Sequence, residues 1–488
     1  MKPMTLFEAA RACGGTLAAG DGSTLITGAE TDSRYAGAGT LFVPIRGEHV
    51  DGHDYIASAF EHGAAAALTA RDESEQFAFV PGKPYIRVTD PQRALQNLAE
   101  YYRKTLTIPV IGVTGSVGKT TTKEMLAAAI GTGRKVLKTA GNRNSQLGLA
   151  LTVLSIDPEH QAAVVEMGMS ERGEMAKLAE IARPTAAVMS NIGVSHIGQL
   201  KTRENIRREK LNIVNRIPAG GKLFVSGDND LLRDAAERTA RAKQAGSPEA
   251  VKAALLEFAD EESAEALSRI DVETFGVSEG CTYRAEEPVS TEEGASFLFE
   301  GERITLAVPG VHNICNALSA LAAARLLGMD AATAAAGLAA YRPSAMRGQV
   351  TAFAGIKLLD DTYNASPDSI KSGIASLSVL AAERRIAVLA DVLELGSESD
   401  RLHYEVGTEI GRDRKIDVLV TVGEKAEQIA AGVHDQTKEI LTQSFRSNAE
   451  AEAYLLDILK PGDAVLVKGS RGMKTDEIVR VLKEKLGA

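Results

Sequence analysis

The residues best placed to do chemistry fall in one loop, Thr114-Gly115-Ser116-Val117-Gly118-Lys119-Thr120-Thr121, which follows the apolar run Ile108 to Val113 and opens a helical pattern. Two glycines let consecutive backbone N–H groups turn toward an anion, and a helix beginning at Lys119 adds the positive end of its dipole. Lys119 can then reach the outer phosphates of a nucleoside triphosphate, while the Thr120 hydroxyl can ligate Mg2+. Val113 stands where the first glycine of the commonest phosphate loop belongs, so the subclass is not the standard one. A glycine-rich strand-to-helix turn with no ligand is the competing reading.

Other candidates lie just after apolar runs. Glu166 ends the run Ala162 to Val165, where an acid can hold Mg2+ or its water, because ligands of open α/β sheets sit beyond the carboxyl ends of strands. The string from Asn191 to His196 follows Ala186 to Ser190 and so falls at the same edge; taken alone, such a histidine is more often a hydrogen-bonded structural residue than a ligand. Lys210, in a helical pattern over Glu204 to Ile213, reads by itself as a solvated lysine paired with a glutamate. Asn142, Asn144 and Ser145 could bind a polar substrate, but by themselves they read better as the cap of the helix starting at Gln146. Asp361, Tyr363 and Asn364 follow one late strand, and Lys468, Ser470 and Arg471 another, with turn chemistry as the plain alternative for both. Arg347 is either a clamp on a transferring phosphoryl group or an ordinary surface arginine.

These groups need elements to position them. From about 106 to 342, short buried-strand patterns alternate with helices, the grammar of a parallel sheet covered on both faces. From 343 to 488 the alternation returns in Ile386 to Ala390, Val418 to Val422 and Ala464 to Val467, predicting a second, smaller α/β domain. Residues 1 to 105 carry short strand and helix signals of their own. The charged, alanine-rich segment from Asp228 to Ile270 reads as a helical elaboration of the central domain.

Composition fits this division. A chain of 488 residues is too long for one core and predicts roughly three domains. An apolar share of 44% and a charged share of 25% are those of a globular protein. No apolar segment is long enough to span a membrane, and Glu8 and Arg11 interrupt the stretch where a signal peptide would need a continuous apolar core, so the expected location is the cytoplasm. A net charge of −10 argues against a nucleic-acid binder. Cys13, Cys281 and Cys315 have neither disulfide nor zinc spacing, and no heptad or exposed apolar repeat calls for a second copy, so a monomer is expected.

Taken together these strings resemble the Mur ligases, ATP-dependent amide ligases that build the peptide stem of bacterial cell-wall precursors. The resemblance covers nearly the whole chain: the loop from Gly112 to Thr120, Asn191 to His196, Lys210, the string His312 to Ala317, and Arg347 fall in the family's order. Four strings, Gly141 to Asn144, Asp360 to Ala365, Asp391 to Gly396 and Val467 to Arg471, are similar to the branch that adds D-alanyl-D-alanine to UDP-N-acetylmuramoyl-tripeptide. Thr31 to Arg34 and Leu41 to Glu48 resemble its UDP-holding segment. Two departures stand out. The residues before Arg347 lack the family's usual proline and glycine, and Ser145 stands where a second asparagine is common.

The resemblance implies an α/β fold of three domains: a UDP-binding domain at 1–105, a phosphate-loop ATPase domain at 106–342 and a Rossmann-like ligase domain at 343–488. It implies ATP and Mg2+ as cofactors, with Thr120, Glu166 and His196 toward the metal and Lys210 at the position of the lysine that can be carbamylated in this family, where a carbamate can coordinate a second Mg2+. Thr114 to Thr121, Asn313, Arg347 and Asp361 would contact ATP. Asp32, Ser33, Arg34, Gly47, Asn142, Asn144, Tyr363, Asn364, Lys468, Ser470 and Arg471 would contact the other substrates. The expected reaction passes through an acyl phosphate, shielded from water by domain closure. Alternatives are a related ligase with a different amine and a phosphate-loop regulatory ATPase.

Overall fold

A computed structural model describes residues 1–72, 79–244 and 247–487. Its centre is a seven-stranded sheet with every pairing parallel, in the order Tyr283–Arg284, Asp271–Gly276, Lys222–Ser226, Ala186–Met189, Val110–Thr114, Ala162–Glu166, Val136–Lys138. The runs Val110–Thr114, Ala162–Glu166 and Ala186–Met189 are buried at every residue, as a sheet covered on both faces requires. The chain moves from Val110–Thr114 first to one side of the sheet and later to the other. That strand therefore marks the switch point at which such sheets open a crevice.

A second sheet has the order Gln349–Phe353, Ile356–Asp360, Asp463–Lys468, Arg384–Ala390, Val418–Val422, Leu441–Phe445, parallel except for its first strand. A third, of five short strands between Thr16 and Arg87, has one antiparallel edge. The helix Pro91–Lys104, begun by Asp90 capping the N–H groups of Gln92 and Arg93, leads from this sheet to the central one.

The segment after Asp228 forms three helices, Asp230–Lys243, Pro248–Leu256 and Glu261–Arg269, in keeping with its helical pattern. Beyond it lies an unanticipated antiparallel sheet, Glu286–Ser290, Ala295–Phe299 and Glu302–Leu306. Its Phe297, Phe299 and Ile304 join the core that the helix Val311–Leu326 forms with the helix Lys119–Gly131. Among the described residues no helix is long and apolar enough to cross a membrane.

Candidate active site

The carboxyl edges of the two large sheets border one cavity of about 730 Å³. From the central sheet come the loop Ser116 to Thr121, Glu166 and His196; from the other come Asp361, Tyr363, Asn364 and Lys468, with Arg347 from the segment preceding its first strand. Asn142, Asn144 and Asn313 also line it. A smaller recess of about 160 Å³ shares Ser116, Lys119, His196 and Asn364 with it and adds Ser470 and Arg471. Asp32, Ser33, Arg34 and Gly47 lie outside both spaces, in the region of the five-stranded sheet. There Asp32 accepts from the Arg34 N–H and pairs with its guanidinium, and the Gly47 N–H donates to Val50 O at 2.8 Å.

The loop is held open by its neighbours. The Val117 N–H donates to Asn191 Oδ1 at 2.8 Å, the Ser116 N–H to Asn191 O at 3.0 Å, and the Gly193 N–H to Ser116 Oγ at 2.9 Å. Gly115 and Gly118 have φ of 152° and 84°, and a Cβ on Gly115 would stand 2.0 Å from Ser190 Oγ, so both must be glycine. Lys119 folds back, donating to Gly115 O at 2.9 Å and Ser116 O at 3.3 Å, so its ammonium waits where phosphate oxygens would replace those carbonyls. Burial presses Lys119 below the ordinary lysine value, with Glu166 opposing and Arg347 adding to the shift. Thr114 is buried beneath the loop with its hydroxyl unpartnered.

Glu166 is 2% exposed. Its Oε1 accepts from Asn144 Nδ2 at 2.7 Å, while Oε2 accepts no hydrogen bond. A buried carboxylate oxygen left free, with the Thr120 hydroxyl at the nearby helix start, fits a hard cation that binds by oxygen. Among the described residues no three His, Cys, Asp or Glu side chains form a cage. Mg2+ needs no such cage, since it binds through one or two carboxylates and completes its shell with water and phosphate. His196 is held at φ 64°, with Nδ1 3.1 Å from Glu394 Oε2 but out of line for a hydrogen bond. Glu394 also has a positive φ, 66°, and contact with His196 holds its carboxyl below the usual range.

Lys210 is not solvated, as its helix pattern alone would have it. It is fully buried on the helix Arg203–Leu211, outside the cavity lining, with Nζ lacking any hydrogen-bond partner. Burial first, and the charge of Lys119 second, drive it well below the ordinary lysine value. Burial thus favours the uncharged, nucleophilic form of this amine, the form that reacts with CO2.

Across the cleft the Arg347 guanidinium lies over the Tyr363 ring, 3.7 Å from its centroid. Asp361 accepts from Lys468 Nζ, which also donates to Asn364 O at 3.0 Å, and Ser470 Oγ accepts from the Leu393 N–H at 2.8 Å. Arg471 is exposed and pairs with Asp476. Asn313 Nδ2 donates to Pro309 O at 2.7 Å in the first turn of Val311–Leu326. Ser145 caps the helix Gln146–Leu154, leaving Asn142 and Asn144 to face the cavity.

Sequence reasoning missed Asp368 and gave Glu394 no role. Asp368 Oδ2 is buried against Gly193, where a Cβ would stand 1.9 Å away, and burial raises its carboxyl above the ordinary value. The only sequence signal for Glu394 was the string Asp391 to Gly396. Asp368 had none.

A phosphate loop at the switch point of one parallel sheet, faced by the carboxyl edge of a second, defines a nucleotide-dependent enzyme whose cleft is lined from both sheets. The chain belongs to the Mur ligase family: the Mur ligase middle domain matches residues 113–324, the Mur ligase glutamate ligase domain 346–471, and the Mur ligase family catalytic domain 25–103. It is 36% identical over 479 residues to the UDP-N-acetylmuramoyl-tripeptide–D-alanyl-D-alanine ligase of Bacillus subtilis (strain 168), covering 94% of each chain. It superposes on MurF from Acinetobacter baumannii with a TM-score of 0.85 at 28% identity, covering 99% of this chain and 100% of that one. On MurF from Thermotoga maritima in complex with ADP the TM-score is 0.77 at 26% identity, covering 94% and 97%.

Proposed function

We infer that this chain joins D-alanyl-D-alanine to UDP-N-acetylmuramoyl-tripeptide at the expense of ATP, forming the pentapeptide precursor of peptidoglycan. The observation that carries the reading is the single cleft in which Lys119 and Glu166 of one sheet face Arg347, Asp361 and Lys468 of the other. The ADP complex of a similar MurF supports the assignment of the loop to ATP.

Amide formation needs a better leaving group than hydroxide. A carboxylate oxygen of the tripeptide attacks the γ-phosphorus, the bond to the β-phosphate oxygen breaks, and ADP leaves. Lys119 moves from its loop carbonyls to the phosphate oxygens, and the N–H groups at the helix start share the anion's charge. Thr120, Glu166 and His196 would hold Mg2+, and a carbamylated Lys210 a second Mg2+ near the γ-phosphate; the ions would neutralise charge developing on the transferred group. Arg347, oriented by Tyr363, stabilises the same charge from the opposite wall. Asn142 and Asn144 orient the tripeptide. The free amine of D-alanyl-D-alanine then attacks the acyl-phosphate carbonyl, loses a proton, and expels inorganic phosphate.

Boundaries near 105 and 342 separate three roles. The first domain recognises UDP through Asp32, Ser33, Arg34 and Gly47, the central domain carries the ATP chemistry, and the last domain delivers the amine. The protein works as a cytoplasmic monomer. Hydroxylamine trapping tests the first half-reaction. With ATP, Mg2+ and UDP-tripeptide but no amine, a tripeptide hydroxamate is expected, and its absence contradicts the acyl-phosphate route.

A further inference from the structure

Lys123 follows Lys119 by one turn of the helix Lys119–Gly131, on the same side of it. It is fully buried, and its ammonium donates to Thr139 O at 2.8 Å and to Gly141 O at 3.4 Å. Glu124 Oε1 stands 3.1 Å away and Glu166 Oε2 3.8 Å away. A lysine ammonium has three donors, and a buried charge persists only where such partners compensate its lost hydration.

The two carbonyls, Thr139 O and Gly141 O, belong to the turn that carries Asn142 and Asn144. The same turn is tied to the end of the neighbouring strand. The Glu166 N–H donates to Thr139 Oγ1 at 2.9 Å, Asn144 Nδ2 to Glu166 Oε1 at 2.7 Å, and the Gly168 N–H to Asn144 O at 3.0 Å. Lys123 thus sits where three elements meet: the helix of the phosphate loop, the tripeptide-facing turn, and the strand end bearing the metal-side carboxylate. It balances the charge of Glu166 from beyond hydrogen-bond range and leaves the Oε2 lone pairs free. The hydrogen bonds of the phosphate loop run to Asn191 and Lys119, and those of Lys123 run to the turn instead.

We propose that Lys123 is a positioning residue for the ligation, fixing the tripeptide-facing turn 139–144 at a set distance from the lysine that holds the phosphates. One rigid helix then carries two lysines a turn apart, one registering the phosphoryl donor and the other the carboxylate acceptor. A misplacement of about 1 Å between two reacting groups costs on the order of a hundredfold in rate, so such a ruler matters to catalysis without touching either substrate. The proposal rests on the ligase reading.

Calorimetric binding of ADP and of UDP-tripeptide, measured separately on Lys123→Met and Lys123→Arg, tests it. Lys123→Met should keep ADP affinity within about twofold, weaken UDP-tripeptide about tenfold, and lower kcat about a hundredfold. Lys123→Arg, which keeps the charge and donors for both carbonyls, should recover at least half of each loss on a logarithmic scale. Equal losses for both ligands, or unchanged tripeptide binding, would overturn the proposal.

Amide exchange on the unaltered protein gives a second readout should Lys123→Met fail to fold. The N–H groups of Glu166 and Gly168 should already exchange slowly without ligand; free exchange until UDP-tripeptide is added would overturn a preset turn. Failure of the unaltered protein to bind UDP-tripeptide at all would bring down the ligase reading and this proposal with it, a result separate from any effect of the variants.

Discussion

Arg347 and Tyr363 meet face to ring on one wall of the cleft, the guanidinium carbon 3.7 Å from the ring centroid, while the Tyr363 N–H donates to the carbonyl of Met346 at 3.1 Å. The backbone bond sets the spacing of the two side chains, and the ring restricts the planar cation before any phosphate arrives. Arg347→Lys keeps the charge but loses the stack and the fork of donors. Steady-state kinetics should show kcat lower by about a hundredfold, with the KM for UDP-tripeptide little changed. Tyr363→Leu should cost less, about fivefold, because it removes only the orientation. An Arg347→Lys enzyme with normal kcat would place the arginine outside the transition state.

Glu166 offers one unpartnered oxygen beside the phosphate loop. Glu166→Gln keeps size and one acceptor but removes the negative charge. The Mg2+ concentration for half-maximal activity should rise by an order of magnitude or more, and saturating Mg2+ should restore some of the lost kcat. An unchanged Mg2+ dependence would exclude Glu166 as a ligand.

Lys210 is buried, unpartnered and driven below its ordinary value. With 13C-labelled bicarbonate, a carbamate carbon signal should appear in the unaltered protein and vanish in Lys210→Ala. The pH sense follows from burial: the unfolded chain binds a proton here that the folded chain releases, so this residue's contribution to stability rises with pH toward the ordinary value of 10.5. Lys210→Met should therefore unfold at a higher temperature than the unaltered protein at neutral pH in the absence of CO2.

Asp368 titrates in the opposite sense. Its carboxyl is raised by burial against the loop at Gly193, so the folded state holds a proton that the unfolded state loses, and stability falls as pH climbs from 3.8 through the raised value. Asp368→Asn removes that penalty. Thermal unfolding should show the variant more stable at neutral pH, with the gain shrinking as the pH is lowered toward 3.8. A gain independent of pH would point to packing instead.

The sequence made legible what depends on neighbours along the chain. Parallel strands buried on both faces read as apolar runs, so Val110–Thr114, Ala162–Glu166 and Ala186–Met189 stood out, and glycine spacing marked the loop between strand and helix. The antiparallel sheet from Glu286 to Leu306 did not stand out. Its outer strands expose Glu286, Glu287 and Arg303, and its core residues come from one short middle strand, Ala295, Phe297 and Phe299, with Ile304 and Leu306 from the last, too short a run of alternation to stand apart from its charged flanks. Lys210 reads from its helical pattern as a solvated lysine and nothing in the sequence marks Lys123, because a lysine's burial is decided by what packs over it from elsewhere in the chain. Asp368 was illegible for the same reason: its partner, Gly193, lies beyond a strand of the other sheet.

The most direct test of the central claim is phosphate release from ATP and Mg2+ with UDP-N-acetylmuramoyl-tripeptide, with and without D-alanyl-D-alanine, followed by mass spectrometry of the products. The account predicts sustained release only when both are present, one phosphate for each UDP-N-acetylmuramoyl-pentapeptide formed. Sustained release that ignores the dipeptide, or an absence of pentapeptide, would contradict it.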